Sequence, residues 1–73
     1  MTKLPIISGK ETVAALSKVG FYIRCQSGSH IILRRDKPFA QVVVPNHKTI
    51  DRGTLHSILR GAGLLTEDFC TLL

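Results

Sequence analysis

Apolar residues recur at helical spacing near the start of the chain. Three of them are three residues apart: Val13, Leu16 and Val19. The segment 8–11 reads Ser-Gly-Lys-Glu, which is typical of a capping box, where Ser and Glu satisfy amides of the first helical turn. Gly20 stands where a left-handed residue commonly follows a helix. The pattern therefore predicts a first helix over residues 9–19.

After this helix the period changes to two, which is typical of strands with one buried face. Two sets of residues alternate along the first strand: Phe21, Ile23 and Cys25 against Tyr22, Arg24 and Gln26. A Ser-Gly-Ser turn at 27–29 precedes a second strand over 30–34. After the break at 35–38, the segment 39–44 is rich in β-branched residues, and Pro45 ends it. We predict three antiparallel strands in meander order.

Two further helices are predicted after the sheet. Asp51 can cap the first of them, Gly61 and Gly63 end it, and it has this apolar stripe: Leu55, Ile58, Leu59 and Ala62. Thr66 can cap a short last helix with acidic residues in its first turn. The 73 residues allow one domain, 1–73, of α+β class. We expect the helices to cover one face of the sheet and to leave the other face open.

Alternation along the second strand assigns His30 to the open face, because Ile31 and Leu33 are expected to face the helices. Taken together, the first two strands are expected to present these residues on that face: Tyr22, Arg24, Gln26, His30, Ile32 and Arg34. An imidazole would then lie among arginine, tyrosine and glutamine side chains on a surface free to bind a ligand.

The charge balance favours an anionic partner, because ten Lys and Arg oppose five Asp and Glu and give a net charge of +5. Nucleic acid is the commonest such partner of a basic domain. A membrane surface is the competing anion, but residues 1–5 carry neither a basic amphipathic helix nor a lipidation signal. The chain also lacks a signal-peptide pattern, so we expect a cytoplasmic protein whose Cys25 and Cys70 are free thiols.

A histidine among arginines suits RNA cleavage, in which the 2′-hydroxyl loses a proton as it attacks the adjacent phosphorus. A free imidazole has a pKa of ~6.5 and exchanges protons near neutrality. Arg24, Arg34 and Arg35 are candidates for binding the phosphate. Taken alone, a histidine at the start of a hairpin strand is more often an ordinary surface residue, and arginines on a sheet face are commonly only solvated.

The other two histidines have weaker signals. His47 follows Pro45 in a polar loop and is a candidate phosphate ligand, whereas His56 on a helix flank is expected to be structural. No Asp or Glu stands at metal-ligand spacing from any histidine, so we expect neither a metal nor another cofactor.

Several motifs in this order and spacing resemble the HicA toxin family, also called YcfA-like. They are Leu4-Pro5, Ser8-Gly9-Lys10-Glu11, Leu16, Gly20-Phe21, Gly28-Ser29-His30, Leu33-Arg34, Val44-Pro45, His47, Gly53-Thr54-Leu55 and Ser57-Ile58-Leu59-Arg60. The resemblance implies a toxin of a type II toxin–antitoxin pair with a double-stranded-RNA-binding-like fold. It also implies metal-independent mRNA cleavage by a single histidine, a role that maps onto His30.

A HicB-type antitoxin that covers the active surface, in a hetero-oligomer with the toxin, is a further implication of the resemblance. The residues expected to bind RNA are Arg24, Arg34, Arg35, Lys37, His47 and Lys48. Where many relatives are Gly-rich after the loop histidine, this chain has Lys-Thr-Ile-Asp-Arg at 48–52. The alternative is a catalytically inactive RNA-binding module or a decayed toxin that binds its antitoxin. A DNA-binding protein is disfavoured because the predicted helices do not form a helix-turn-helix.

Overall fold

Within residues 3–73 the chain folds into one antiparallel sheet and three helices, in the predicted α+β order. A computed structural model describes residues 3–73, so residues 1 and 2 of the N-terminal segment considered above lie outside the described residues. The elements are α1 (Gly9–Ser17), β1 (Tyr22–Ser27), β2 (His30–Asp36), β3 (Phe39–Pro45), α2 (Arg52–Ala62) and α3 (Thr66–Cys70). The strands are neighbours in the order β1-β2-β3. None of the helices within residues 3–73 has the length and apolarity needed to cross a bilayer.

Helix α1 begins at the predicted capping box. The hydroxyl of Ser8 accepts a hydrogen bond from the Glu11 amide at 3.1 Å, and the Glu11 carboxylate accepts one from the Ser8 amide at 3.2 Å. The helix ends at Ser17, two residues before the predicted end, because the chain turns through Val19 toward Gly20, which has a φ of +96°. A positive φ is accessible to glycine without a steric penalty, so Gly20 has the predicted conformation.

The buried face of α1 differs from the predicted stripe. Val13 and Val19 are only half-buried, while Thr12, Ala15 and Leu16 are buried. Thr12 is accommodated in the core because its hydroxyl donates to the Ser8 carbonyl at 2.9 Å, which satisfies its polar atom. The buried face of α1 is therefore rotated about the helix axis from the predicted Val13–Leu16–Val19 stripe toward Thr12, a polar residue that the hydrophobic pattern did not identify.

Helix α2 has the predicted cap. An oxygen of Asp51 accepts a hydrogen bond from the Thr54 amide at 2.7 Å. Hydrogen bonds from the side chain and the amide of Thr54 stabilise the ionised form and lower the pKa of the Asp51 carboxyl. Gly63, with a φ of +73°, ends the helix as a left-handed cap, whereas Gly61 lies inside it and does not end it.

Helix α3 begins differently from the prediction. Leu65 occupies the cap position without a side-chain hydrogen bond, so Thr66 is the first helical residue and not the cap. Phe69 is fully buried and anchors this short helix to the core. Cys25 and Cys70 are both free, as predicted.

Strand β2 alternates between the two faces as predicted. Ile31 and Leu33 are buried and pair with Val44 and Val42 of β3, so these four side chains share one face. The other apolar residues buried with them are Leu4, Ile7, Ala15, Leu16, Phe21, Ala40, Ile50, Leu55, Ile58, Leu59, Ala62 and Phe69. The helices thus cover this face, and the opposite face, which begins with the exposed His30, stays open.

Strand β1 departs from simple alternation. Its register with β2 shifts at Arg24, which forms a bulge. Beyond the bulge Cys25 lies opposite Ile32 on the open face, and Gln26 lies opposite Ile31 on the helix face. The prediction that Gln26 shares the open face was therefore wrong, because one extra residue in a strand reverses the faces of all residues beyond it.

Candidate functional site

His30 lies at the end of the open sheet face where the loop after β3 begins. It is the first residue of β2 and pairs with Ser27 on one side and Pro45 on the other. The Asn46 amide donates to the Ser29 carbonyl at 2.6 Å, which ties this loop to the β1–β2 turn. The histidine and the loop are consequently neighbours, although they are far apart in sequence.

Backbone contacts to the N-terminal part of the chain hold the loop over residues 46–50. The Gly9 amide donates to the His47 carbonyl at 2.9 Å, and the Ile50 amide donates to the Ile7 carbonyl at 2.8 Å. Gly9 lies so close to the backbone of Pro45 and Asn46 that a Cβ at this position would overlap the carbonyl oxygen of Pro45. His47 is therefore fixed through its backbone while its side chain is exposed.

A groove of about 700 Å³ joins the two histidines. His30 and His47 line it together with Ile6, Val43, Pro45, Thr49, Ile50, Asp51 and Thr54. Its volume falls in the range of roughly 300–1,000 Å³ that is usual for small-molecule sites. Among the described residues, the lining of the groove contains one carboxylate, that of Asp51, and it contains neither Lys nor Arg. Neither the proximity of the two histidines nor the contribution of Ile6 to this groove was predicted from the sequence.

The three histidines do not gather at one point. His56 lies on the exposed side of α2, in a separate depression formed with the segment 3–4 and residues 65–67. Within residues 3–73, no group of three or more His, Cys, Asp or Glu side chains has the arrangement needed to hold a metal ion.

The predicted cationic residues are spread over the domain. Lys48 follows His47 and is exposed, and Arg24 is exposed in the β1 bulge. Lys37 lies in the turn after Asp36, which is six residues along β2 from His30 and hence roughly 20 Å away. Lys37 is thus at the far end of the sheet from the groove.

Arg34 belongs to a cluster near that far end. Its Nε lies 3.2 Å from a carboxylate oxygen of Asp36, and its guanidinium lies 5.1 Å from the centre of the Phe39 ring. The Tyr22 hydroxyl donates to the same carboxylate at 3.1 Å. The charge of Arg34 is therefore partly balanced within the protein.

Arg35 faces the helices and not the open face. Its guanidinium stacks 4.7 Å from the centre of the Phe21 ring, and it donates to the Ala62 carbonyl at 3.2 Å and the Pro38 carbonyl at 3.0 Å. The carbonyl of Ala62 is at the C-terminal end of α2, where a cation is stabilised by the helix dipole. These contacts give Arg35 a structural role.

The fold and the groove define a small basic α+β domain with a histidine-lined site at the end of an open sheet face. The family model described as "HicA toxin of bacterial toxin-antitoxin" matches residues 9–64, a range that includes both groove histidines. The chain belongs to the HicA toxin family. It is accordingly a toxin of the toxin–antitoxin type, a class whose members pair with an antitoxin. No curated protein matches the chain.

Proposed function

We propose that this toxin is an endoribonuclease that cleaves mRNA with His30 as its catalytic residue. The observation that carries the proposal is the exposed His30 in a groove with a second histidine, in a chain of the HicA toxin family. The net charge of +5 supports a polyanionic substrate.

His30 acts as the general base. It removes the proton of a ribose 2′-hydroxyl, whose oxygen attacks the adjacent phosphorus. A 2′,3′-cyclic phosphate forms, the bond from phosphorus to the 5′ oxygen breaks, and that oxygen takes a proton from water. The hydroxide left behind takes the proton from the His30 imidazolium, which restores the base. His47, in the same groove, binds the phosphate. Because the nucleophile belongs to the RNA itself, the reaction proceeds without a metal.

Cations outside the groove bind the neighbouring phosphates, three of them exposed (Arg24, Lys37 and Lys48) and Arg34 half-buried. Lys48 and Arg24 are closer to His30 along the chain and the sheet than Lys37 and Arg34 are. In a stacked strand with one phosphate per about 3.4 Å, Lys37 and Arg34 contact phosphates about six positions or fewer from the cleavage site. A HicB-type antitoxin covers the same surface and forms a hetero-oligomer with the toxin. Because mRNA is in the cytoplasm, the toxin acts there.

Arg35 is expected to contribute to stability and not to RNA affinity. Arg35→Gln removes the stacking on Phe21 and the hydrogen bond to Ala62, so the free energy of unfolding should fall by about 1–2 kcal/mol. RNA affinity should stay within about twofold of the parent value. Urea unfolding and RNA binding at several salt concentrations measure the two effects.

Arg24→Gln is the matched control. It should leave unfolding unchanged and lower the slope of log affinity against log salt by about 1. The structural assignment of Arg35 is wrong if the two variants show the reverse behaviour.

The proposed reaction is tested with purified toxin and a single-stranded RNA in EDTA. Cleavage should proceed in the chelator and leave a 2′,3′-cyclic phosphate. A matched oligonucleotide with 2′-deoxyribose at the cleaved position should resist cleavage there, because it lacks the nucleophile. Cleavage of the deoxy position at the parent rate would exclude attack by the 2′-hydroxyl.

A further inference from the structure

Part of the groove wall is apolar and exposed without a role in the core. Ile6 is 56% exposed and Val43 is 46% exposed, and Pro45 continues this wall toward His30. Large apolar side chains exposed together beside a polar site are typical of a ligand contact.

The charge of the groove identifies which part of a nucleotide fits. Among the described residues its lining includes the Asp51 carboxylate and neither Lys nor Arg. The Thr54 hydrogen bonds favour the ionised carboxylate, which repels phosphate. A phosphate is therefore disfavoured beside Asp51, where the uncharged part of a nucleotide is favoured, and the phosphate itself stays at the two histidines.

We infer that the groove seats one unpaired nucleobase of the RNA, next to the phosphate at His30. This inference rests on the proposed ribonuclease function. The faces of a base are apolar and pack against Ile6, Val43 and Pro45, while its polar edge meets the hydroxyls of Thr49 and Thr54. A base seated in this way leaves its duplex partner. The substrate class is therefore single-stranded RNA.

Binding is measured first, with a short 2′-O-methyl oligonucleotide that the toxin cannot cleave. One nucleotide at a time is replaced by an abasic residue. In the parent, one position or two adjacent positions should lose affinity by about tenfold on loss of the base, as stacked bases do. An affinity that is the same for every abasic oligonucleotide overturns the inference, whether or not the toxin cleaves RNA.

Substitutions in the wall assign the base to the groove. Ile6→Ser and Val43→Ser should each weaken binding of the intact oligonucleotide and reduce the effect of the abasic residue to less than about threefold. Ile23→Ser is the matched control, since Ile23 is 55% exposed and lies in β1, away from this groove. It should keep the full abasic effect, and unfolding curves establish that each variant is folded. If the wall variants bind RNA like the parent and lose only affinity for the antitoxin, the groove binds a segment of the antitoxin. That result overturns the inference.

Cleavage separates the inference from the function on which it rests. Single-stranded RNA should be cleaved at least about tenfold faster than the same strand in a duplex. Equal rates on both substrates overturn the inference that a base binds in the groove, and they leave the proposed ribonuclease activity unaffected. Failure to cleave either substrate contradicts the proposed function, and the binding experiment still decides whether a base is seated.

Discussion

His30→Ala is expected to lower the rate of RNA cleavage by about 10²- to 10⁴-fold, the usual contribution of one positioned general base. The stability of the domain should change little, because His30 is exposed at the start of β2 and its backbone pairing is retained. Cleavage is measured on a single-stranded RNA in EDTA, and unfolding is measured in urea. Antitoxin binding should remain close to that of the parent.

The control for this loss is His56→Ala, which removes an exposed histidine outside the groove and should leave cleavage unchanged. His47→Gln distinguishes phosphate binding from proton transfer, since loss of a binding group raises KM more than it lowers kcat. If His30→Ala cleaves RNA as fast as the parent, the catalytic assignment is wrong. The domain is then an RNA-binding module or a toxin without activity of its own.

Local hydrogen-bonding patterns allowed several elements to be predicted from the sequence. The Ser8 capping box and the Asp51 cap each depend on residues within one turn, and both are present where expected. The phase of β2 was also predictable, because Ile31 and Leu33 are strongly apolar and the core lies on one side. Short-range rules of this kind require no knowledge of tertiary packing.

The bulge in β1 could not be predicted from alternation. The turn at Gly28 pairs Ser27 with His30, which fixes the phase of Cys25 from one end of the strand. The burial of Phe21 fixes the other end, and the two phases differ by one residue. Arg24 is the extra residue, and it lies in the bulge between the two phases. Its position depends on tertiary structure, because Phe21 packs in the core.

The groove was partly predictable in hindsight. A two-residue turn at 37–38 makes Asp36 pair with Phe39, and counting back along β2 and forward along β3 brings His30 opposite Pro45. His47 follows two residues later and was therefore close to His30 by register alone. The contribution of Ile6 was not accessible in this way, because the isolated bridge between Ile7 and Ile50 is a tertiary contact.

Gly9→Ala is expected to have the largest effect on stability among the glycine substitutions in helices. In an exposed helix interior, Ala stabilises relative to Gly by about 1 kcal/mol. At Gly9 the added methyl overlaps the Pro45 carbonyl oxygen and lies 3.0 Å from the Asn46 Cα, both backbone atoms that cannot rotate away. The start of α1 must then separate from the loop, so we expect a net loss of about 1–3 kcal/mol. For a domain of this size, each kcal/mol lowers Tm by about 4–8 °C.

The same displacement should reduce RNA cleavage, because the Gly9 amide holds the His47 carbonyl at 2.9 Å. Gly53→Ala is the matched control: it also lies in the first turn of a helix, but its Cβ would meet only the Asp51 Oδ1 at 3.9 Å. That variant should be as stable as the parent or more stable, with unchanged cleavage. Thermal unfolding and cleavage assays on both variants measure this difference. An equal or higher Tm for Gly9→Ala would show that the helix and the loop carrying His47 separate without cost, and the groove would then not be held by this contact.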